Sequence, residues 1–553
     1  MPTDLTIFTA KRIETMYPYR PSVDAVAVRE GRVVGVGTVE ELAGWGEHTV
    51  DGTFEGKVLM PGMVEAHAHV HAGAMWRWPY LGWFERRAPD GRVQAGLRSK
   101  DAVIARLNAA SQALADPTEP LIGWGLDPIY FPDDVEFTAA DLDRASTERP
   151  IFVQHASGHV AVANSAAMKR EGIGPDTDVE GVVKDVDGRP TGVLQEVAAM
   201  GCAPAMMGAF LAAANDELAI RTWAAEARNA GVTSLGELAS ANIYSPGMPE
   251  RWSKVVNDPS FPARVSILAC TALGGPADSA EAAKYAARLA SQQTDKLRFP
   301  GIKLVIDGSP QGFTACFRFP GYFNGAPQGI WNVDPHELPK IVADFHREGL
   351  IIHCHCNGSL AVDAFLDAIE YALTVAPRFD HRHTVQHSQF STPDQYRRMR
   401  ALGMCVNVFS NHIYYWGDQH AAMVVGPDRA DGMEAAATAL REGVPLSLHT
   451  DAPITPLGGL HSAWCAVNRT SATGRVLGEF EKISVREALH AVTIGGAYQH
   501  KWDAEVGSIE PGKFADFAVL EEDPLAVEPT ELRNIEIWGT VVGGVPRPAP
   551  ANR

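Results

Sequence analysis

The sequence is poor in cysteine, in long apolar runs and in basic charge, and each shortage excludes a class of protein. Seven cysteines among 553 residues are too few for the disulfide framework of a small secreted domain. No run of about 18 apolar residues occurs, so no membrane-spanning helix is predicted. Acidic residues outnumber basic ones by 67 to 48, giving a net charge of −19, which argues against nucleic acid and anionic membranes as partners.

The first residues and the composition predict a cytoplasmic protein. Residues 1–7 hold no basic stretch followed by a long apolar core, so no secretion signal is expected. The 46% of hydrophobic and 21% of charged residues are ordinary globular proportions. The expected partners are a small-molecule substrate and, as an option that the sequence leaves open, a second copy of the chain in a homodimer.

Both ends of the chain carry short strand patterns separated by turns. Residues 24–28 and 33–36 flank a hairpin signal, and residues 517–520 and 535–542 show a similar pattern. Neither end has enough strands to bury a sheet alone. We therefore predict that residues 1–60 and 504–553 join into one small β-sandwich domain.

The long middle section repeats a helical stretch, a glycine and a short apolar strand. This order occurs at Gly231, Gly349, Gly403 and Gly443, where we expect glycine to end each helix in the left-handed conformation. Apolar strands in such alternation are typical of parallel βαβ units. Four further apolar runs bring the count to eight, which predicts an α/β fold with a TIM-type (β/α)8 barrel over residues 61–503.

One part of the middle section does not keep this rhythm. Residues 76–225, approximately, hold aromatic residues, turns and isolated helices. We predict that they form an insertion after the first barrel strand, where such enzymes place lids and substrate walls.

Histidines leave the first predicted barrel strand at alternate positions. His67 and His69 project from one face of a strand and could bind a single ion. No zinc-finger-like ligands follow nearby, so further ligands must come from distant segments. Taken alone, the pair is equally consistent with metal ligands and with polar residues at a strand edge.

Polar residues also end other predicted barrel strands, namely Glu237, His355, His387 and Asp451. The carboxyl ends of the strands meet at one mouth of a barrel, where such folds carry their chemistry. Each residue alone has an ordinary interpretation, since a lone histidine is often a hydrogen-bonded core residue and a strand-terminal aspartate often caps a helix. Their equivalent positions together favour a metal-dependent catalytic site.

Lys303 interrupts a strand that should be almost wholly buried. An unpaired buried lysine is costly, and burial shifts its pKa downward. Two hypotheses stay open at this point: an ion pair with Asp307 or another carboxylate, and a chemical role in the site.

Aromatic and histidine side chains are concentrated in the predicted mouth loops. Aromatic residues such as Trp83 and Trp124 are often core residues, but their concentration here favours contact with an apolar or aromatic substrate group. His159 and His412 lie in loop-like contexts and are expected to touch the substrate. His71 is expected to support the ligands from behind them.

These motifs together resemble the amidohydrolase superfamily, in particular its branch of N-substituted-formamide-deformylase-like enzymes. The resemblance covers nearly the full length, through PGMVEAHAH (61–69), GHVAVANS (158–165), DGRPTGVLQE (187–196), KLVIDGS (303–309), HCNG (355–358), QHSQ (386–389), HTDAP (449–453) and GSIEPGKFAD (507–516). It implies a binuclear centre with two divalent ions, zinc by preference. The implied ligands are His67, His69, Lys303, His355, His387 and Asp451.

The resemblance also implies a role for each ligand. His67 and His69 would bind one ion, and the two later histidines the other. Lys303, carboxylated by carbon dioxide, would bridge the ions, and Asp451 would hold the first ion and move protons. The chain departs from the family at Gln386, where the family often has Glu, at Ser359, where it often has Asp, and at residues 449–450, where it usually has Gly-Ser. The departures spare the ligands and indicate an unusual substrate pocket.

The function expected from this ligand set is hydrolysis of a non-peptide carbon–nitrogen bond by a metal-activated water. An exocyclic amide of a small apolar or aromatic molecule is the preferred substrate. Deamination, opening of a cyclic amide and ester hydrolysis are the alternatives on the same scaffold. A non-catalytic metal-binding protein is the alternative from another class.

Overall fold

The computed structural model describes residues 5–131, 136–272 and 275–550, with the backbone alone described at 239–242. Its centre is a sheet of eight parallel strands in sequence order. The strands are Met63–Ala68, Val232–Ser240, Arg264–Cys270, Leu297–Val305, Ile351–Cys356, Thr384–His387, Cys405–Val408 and Leu446–Leu448. The predicted barrel is confirmed.

Contacts just beyond the last strand join it to the first strand. The backbone N–H of Asp451 donates to the carbonyl of His67 at 3.1 Å, and that of His69 donates to Ala452 at 2.8 Å. The buried carboxylate of Glu65 accepts hydrogen bonds from the backbone N–H and the hydroxyl of Thr450, at 3.0 and 2.7 Å. These contacts bring His67, His69 and Asp451 to the same edge of the barrel.

Helices connect the barrel strands in the expected alternation and also follow the last of these strands. They are Glu217–Asn229, Met248–Val256, Ser279–Leu289, Leu338–Arg347, Ser359–Val375, Pro393–Ala401, Asn411–Gln419, Pro427–Asp431, Ala436–Arg441, Gly459–Asn468, Val485–His490 and Gly496–Gln499. The four glycines that precede strands adopt the left-handed conformation, with φ of +73° at Gly231, +80° at Gly349, +69° at Gly403 and +73° at Gly443.

The two ends of the chain meet in one seven-stranded sheet. In sheet order its strands are Val545–Pro548, Ile537–Val542, Phe517–Leu520, His48–Pro61, Leu5–Glu14, Ser22–Arg29 and Arg32–Gly37, with the helix Val39–Ala43 beside them. The long strand His48–Pro61 pairs with strands from both ends of the chain. Phe8, Phe54 and Phe517 lie in the shared core, so neither end could bury this core alone.

The segment between the first and second barrel strands has its own five-stranded sheet and a short hairpin. The sheet strands are, in order, Val182–Lys184, Pro190–Gln195, Val160–Ala163, Ile151–His155 and Leu121–Leu126, and the hairpin strands are Arg86–Arg87 and Val93–Gln94. Its helices are Ala72–Met75, Lys100–Ala113, Ala139–Asp143, Ser165–Glu171, Glu196–Met200 and Pro204–Ala214. The last two of these helices border the barrel mouth. Among the helices of the described ranges, none has the length and apolarity that crossing a membrane requires.

Candidate metal centre

Three of the expected ligands converge where the first and last barrel strands end. Ligand atoms of His67, His69 and Asp451 all lie within 4.8 Å of one another. One carboxylate oxygen of Asp451 is 2.9 Å from Nε2 of His69 and 3.5 Å from Nε2 of His67. Two imidazole nitrogens facing one carboxylate form a donor set that fits a divalent ion such as zinc.

A second group combines His67 with His387 and His449, again with ligand atoms within 4.8 Å of one another. Nδ1 of His387 is 3.0 Å from Nε2 of His449 and 3.7 Å from Asp451 Oδ2. His387 and Asp451 both have positive φ, +67° and +52°. Backbone strain of this kind is often found at functional sites.

His355 lies beside this group but belongs to neither cluster. The centre of its ring is 4.5 Å from that of His387. Its Nε2 instead contacts the carbonyl of Gly308 at 3.3 Å and the amide nitrogen of Asn357 at 3.0 Å. The structure therefore places His355 next to the site, while Nε2 of its ring contacts Gly308 and Asn357 rather than the other candidate ligands.

Lys303 is buried among the histidines. Its Nζ lies 3.1 Å from Nε2 of His67, and burial lowers the pKa of Lys303 to about 8. Asp307 does not pair with Lys303. Its carboxylate accepts three backbone N–H bonds of 2.8–3.0 Å, from Cys316, Asn357 and Gly358. Within the described ranges no carboxylate forms an ion pair with Lys303, so the ion-pair hypothesis gains no support.

Burial sets the protonation of the candidate ligands. It lowers the pKa of His67, His355 and His387 well below the ordinary value, and repulsion from Lys303 acts in the same direction. A neutral imidazole keeps the lone pair that a metal ion needs. Burial opposes ionisation of Asp451, but the hydrogen bond from His69 and attraction to the charges of His69, His449 and Lys303 together outweigh it and lower the pKa of that carboxyl.

Gln386 fixes the orientation of His67 through a hydrogen bond to Nδ1 of its ring. Its Oε1 lies 2.7 Å from Nδ1 of His67 and accepts a further bond of 2.8 Å from the amide of Asn407. Its Nε2 lies 2.7 Å from Nδ1 of His353. An amide oxygen at this place requires His67 to carry its proton on Nδ1, which leaves Nε2 available for a metal ion.

A cavity of about 140 Å³ opens above these ligands. Its floor includes His67, His69, Lys303, His355, His387 and Asp451, and Glu237 also lines it. The helices at the end of the insertion supply apolar walls, with Met200, Met207, Phe210 and Leu211. A polar floor below an apolar wall suits a ligand with one reactive polar group and an apolar remainder.

His159 lines this cavity and is held by a carboxylate that the sequence analysis did not single out as a site residue. Its Nδ1 lies 2.9 Å from Oε2 of Glu196, which also accepts a bond of 2.7 Å from Asn332. Burial opposes protonation of His159, but attraction and a hydrogen bond to Glu196, together with the charges of Asp307 and Asp451, outweigh it and raise the pKa of His159. Glu196 is 1% exposed and has a φ of +64°. The sequence did carry one signal for Glu196 as a site residue: it directly follows a strand of the insertion and ends the family motif at residues 187–196.

The other residues expected near the substrate lie at different distances from the floor. His412 lines a narrow recess that it shares with His355, His387 and Asp451. His71 stacks its ring on that of His69, with centres 5.1 Å apart and planes 9° apart. This contact agrees with a supporting role.

Trp83 and Trp124 do not line the cavity above the ligands. Trp83 packs against Tyr130 and Phe131. Trp124 is 3% exposed, and its ring nitrogen donates to the carbonyl of Trp78 at 3.2 Å. Both tryptophans pack within the insertion, and Trp124 also lines a smaller cavity that adjoins the one above the ligands.

Comparison with known proteins gives the family. A profile of the amidohydrolase family matches residues 54–547. This chain belongs to the amidohydrolase family. It is 26% identical over 548 residues to the protein YtcJ of Bacillus subtilis, covering 96% of this chain and 97% of that protein. The expected enzyme class, a hydrolase of carbon–nitrogen bonds, is thereby confirmed.

Two further similarities cover almost the whole chain. N-substituted formamide deformylase of Arthrobacter pascens is 25% identical over 575 residues, covering 98% of each protein. The crystal structure of an uncharacterized metal-dependent hydrolase from Pyrococcus horikoshii matches with a TM-score of 0.71 at 21% identity, covering 95% of this chain and 99% of that one. The second similarity shows that the two proteins share a fold over almost their whole lengths.

Proposed function

We propose that this amidohydrolase cleaves an exocyclic amide of a small molecule that carries an apolar group, and that it uses two divalent ions, zinc by preference. The observation that carries the proposal is the buried convergence of His67, His69 and Asp451 beside Lys303 under an apolar wall. Such ions, when bound, lower the pKa of a water molecule and polarise a carbonyl group.

The chain supplies a ligand set for both ions. His67, His69 and Asp451 would hold the first ion, and the second would be held by His355 and His387. Lys303 would bridge them as a carboxylated lysine. Among the described residues Lys303 has no carboxylate partner; carboxylation would turn this buried cation into an anion between two cations, which removes the cost of burying an unpaired charge.

In this proposal Asp451 transfers the proton. Its carboxylate lies at the floor of the cavity within 3.7 Å of nitrogens of His67, His69 and His387. There it would accept a proton from the attacking water and deliver it to the leaving nitrogen. His159 and His412 would contact the substrate, because both line spaces that reach the ligands.

The test combines metal analysis with a substrate panel. Purified enzyme is expected to contain two zinc ions per chain and to hydrolyse exocyclic amides in preference to cyclic amides, esters and amino-heterocycles. His67→Ala and Asp451→Asn should lower turnover about 10³-fold or more, because each removes several kcal/mol of transition-state stabilisation. His48→Ala and Asp187→Asn change exposed residues of the same types and should have no effect.

Three results would contradict the proposal. Fully active enzyme with a single ion per chain would exclude the binuclear centre. Metal-replete enzyme that deaminates heterocycles or cleaves only esters would exclude the amide as substrate, and an enzyme inactive on the whole panel would exclude this reaction class.

A further inference from the structure

A second, smaller cavity adjoins the one above the metal ligands. Its volume is about 30 Å³, and its walls include Arg86, Gln154 and His155. We call it the Arg86 annex. It shares His71 and Gln154 with the larger cavity, and the ring of His71 stacks on the ligand His69. A group bound in the annex can therefore belong to the same molecule as a group bound at the ligands.

Arg86 is a buried cation without a carboxylate partner among the described residues. It is 4% exposed. Its two Nη atoms donate to the carbonyls of Pro453 and Thr455 at 2.8 and 3.1 Å, and its Nε has no hydrogen-bond partner in the part of the chain described. Glu226 acts on Arg86 through its charge without forming an ion pair. Burying a charge is costly unless an opposite charge is close to it.

Two more buried polar atoms of the annex lack a hydrogen-bond partner in the described part of the chain. Oε1 of Gln154 and Nε2 of His155 lack hydrogen-bond partners among the described residues. Burial lowers the pKa of His155 to about 3, so its ring is neutral and has one N–H to donate. The annex has room for about two water-sized groups, which is the size of the two oxygens of a carboxylate.

We propose that the Arg86 annex binds a carboxylate of the substrate, so that the amide hydrolysed by this enzyme carries an anionic group as well as an apolar one. The proposal rests on the proposed function and names the substrate class for it. Arginine binds carboxylates through charge-assisted hydrogen bonds, which are the strong ones in proteins. Nε of Arg86 and the ring of His155 would donate to the carboxylate, and Gln154 would accept an N–H of the substrate.

A structural role for Arg86 makes a different prediction. Its bonds to Pro453 and Thr455 fasten the segment that follows Asp451. If Arg86 did nothing else, its loss would lower activity equally on charged and neutral amides. The ratio of kcat/KM for a charged amide to that for a matched neutral amide therefore distinguishes recognition of the substrate carboxylate from a purely structural role of Arg86.

The experiment compares two amides that differ in one group. Both have the same apolar part and the same scissile bond, and one has a carboxylate where the other has a primary carboxamide. For the metal-replete wild-type enzyme we expect kcat/KM to favour the carboxylate by about 100-fold, since buried charged hydrogen bonds discriminate on this scale. Calorimetry of both compounds with the metal-replete protein gives the same comparison without turnover.

Three variants complete the test. Arg86→Met and His155→Phe should each reduce the preference for the carboxylate to about tenfold or less. His155→Phe leaves the bonds to segment 453–455 intact, so it stays informative if Arg86→Met fails to fold. Arg87→Met removes the same charge from the exposed neighbour of Arg86 and should keep the full preference.

The outcomes separate the two proposals. Equal kcat/KM values for both amides in the wild-type enzyme, or an unchanged ratio in Arg86→Met and His155→Phe, would overturn the annex as a carboxylate site. Absence of hydrolysis of either amide would overturn the proposed function, and equal binding of both compounds by calorimetry would then overturn the annex as well.

Discussion

The orientation of His67 depends on a single amide side chain. Gln386 accepts from Nδ1 of His67 at 2.7 Å, and the family often has Glu at this place. Groups that orient a metal-binding histidine commonly contribute about 10- to 100-fold to metal affinity. The neutral amide of Gln386 can therefore orient His67 as a carboxylate would, without adding a buried negative charge next to the candidate ligands.

Replacing Gln386 should weaken metal binding more than it harms the chemistry. We expect Gln386→Leu to lower zinc affinity by about 10- to 100-fold, measured by competition with a chelator, and activity to return at saturating zinc. Gln112→Leu changes an exposed glutamine and serves as the control. Wild-type zinc affinity in Gln386→Leu would show that the packing around His67 is sufficient to hold it.

The state of Lys303 can be tested by removing its side chain. We expect Lys303→Ala to lose metal and activity together, because the proposed bridging anion would disappear. A short carboxylic acid such as acetate should partly restore both, since it can supply the missing carboxylate. Lys340→Ala, at an exposed lysine, is the control. Lys303→Ala with full metal content would contradict the carboxylated bridge.

At the scale of elements, the barrel was predictable because its repeat is encoded locally. Glycine ends the helices at Gly231, Gly349, Gly403 and Gly443 with positive φ, and a buried strand follows each one. The candidate ligands His67, His355, His387 and Asp451 were proposed from the same repeat, because they lie at or just beyond the carboxyl ends of its strands. The β domain was predictable because each chain end had strands that it could not bury alone.

The insertion was not predictable in the same way. Its sheet pairs strands whose alternation is weak, and its aromatic residues belong to several separate clusters. For this reason Trp83 and Trp124, chosen for their composition, lie outside the cavity above the ligands, while Phe210 and Met207 form its wall. Glu196 was missed as a site residue because its partner His159 is distant in sequence.

The helix Pro204–Ala214 should determine how large a substrate fits. Phe210 lines the cavity and is 6% exposed. We expect Phe210→Ala to raise kcat/KM for amides with a bulky apolar group, relative to small ones, by about tenfold, since one change of pocket volume commonly has an effect of this size. Leu218→Ala, at a residue 64% exposed on the next helix, is the control. An unchanged ratio would place the specificity wall elsewhere.

At the scale of the whole molecule, a buried ion pair connects the barrel to the β domain. Arg264, at the start of the third barrel strand, donates to the carboxylate of Asp516 at 2.5 and 3.1 Å, and the two side chains are only 4% and 3% exposed. Asp516 also accepts a bond of 2.7 Å from the backbone N–H of Gly543. The guanidinium lies over the ring of Phe514 at 3.5 Å. The pair therefore joins the barrel to the C-terminal part of the β domain.

Breaking this pair should destabilise the molecule and leave the metal centre intact. Asp516→Asn leaves the buried charge of Arg264 uncompensated, which costs about 3–5 kcal/mol in comparable cases. We expect the free energy of unfolding in urea to fall by that amount, while zinc content without denaturant stays unchanged. Arg189→Met breaks an exposed pair with Asp187 and should change stability by less than about 1 kcal/mol. A loss in Asp516→Asn no larger than in this control would show that the β domain is held to the barrel by its apolar contacts alone.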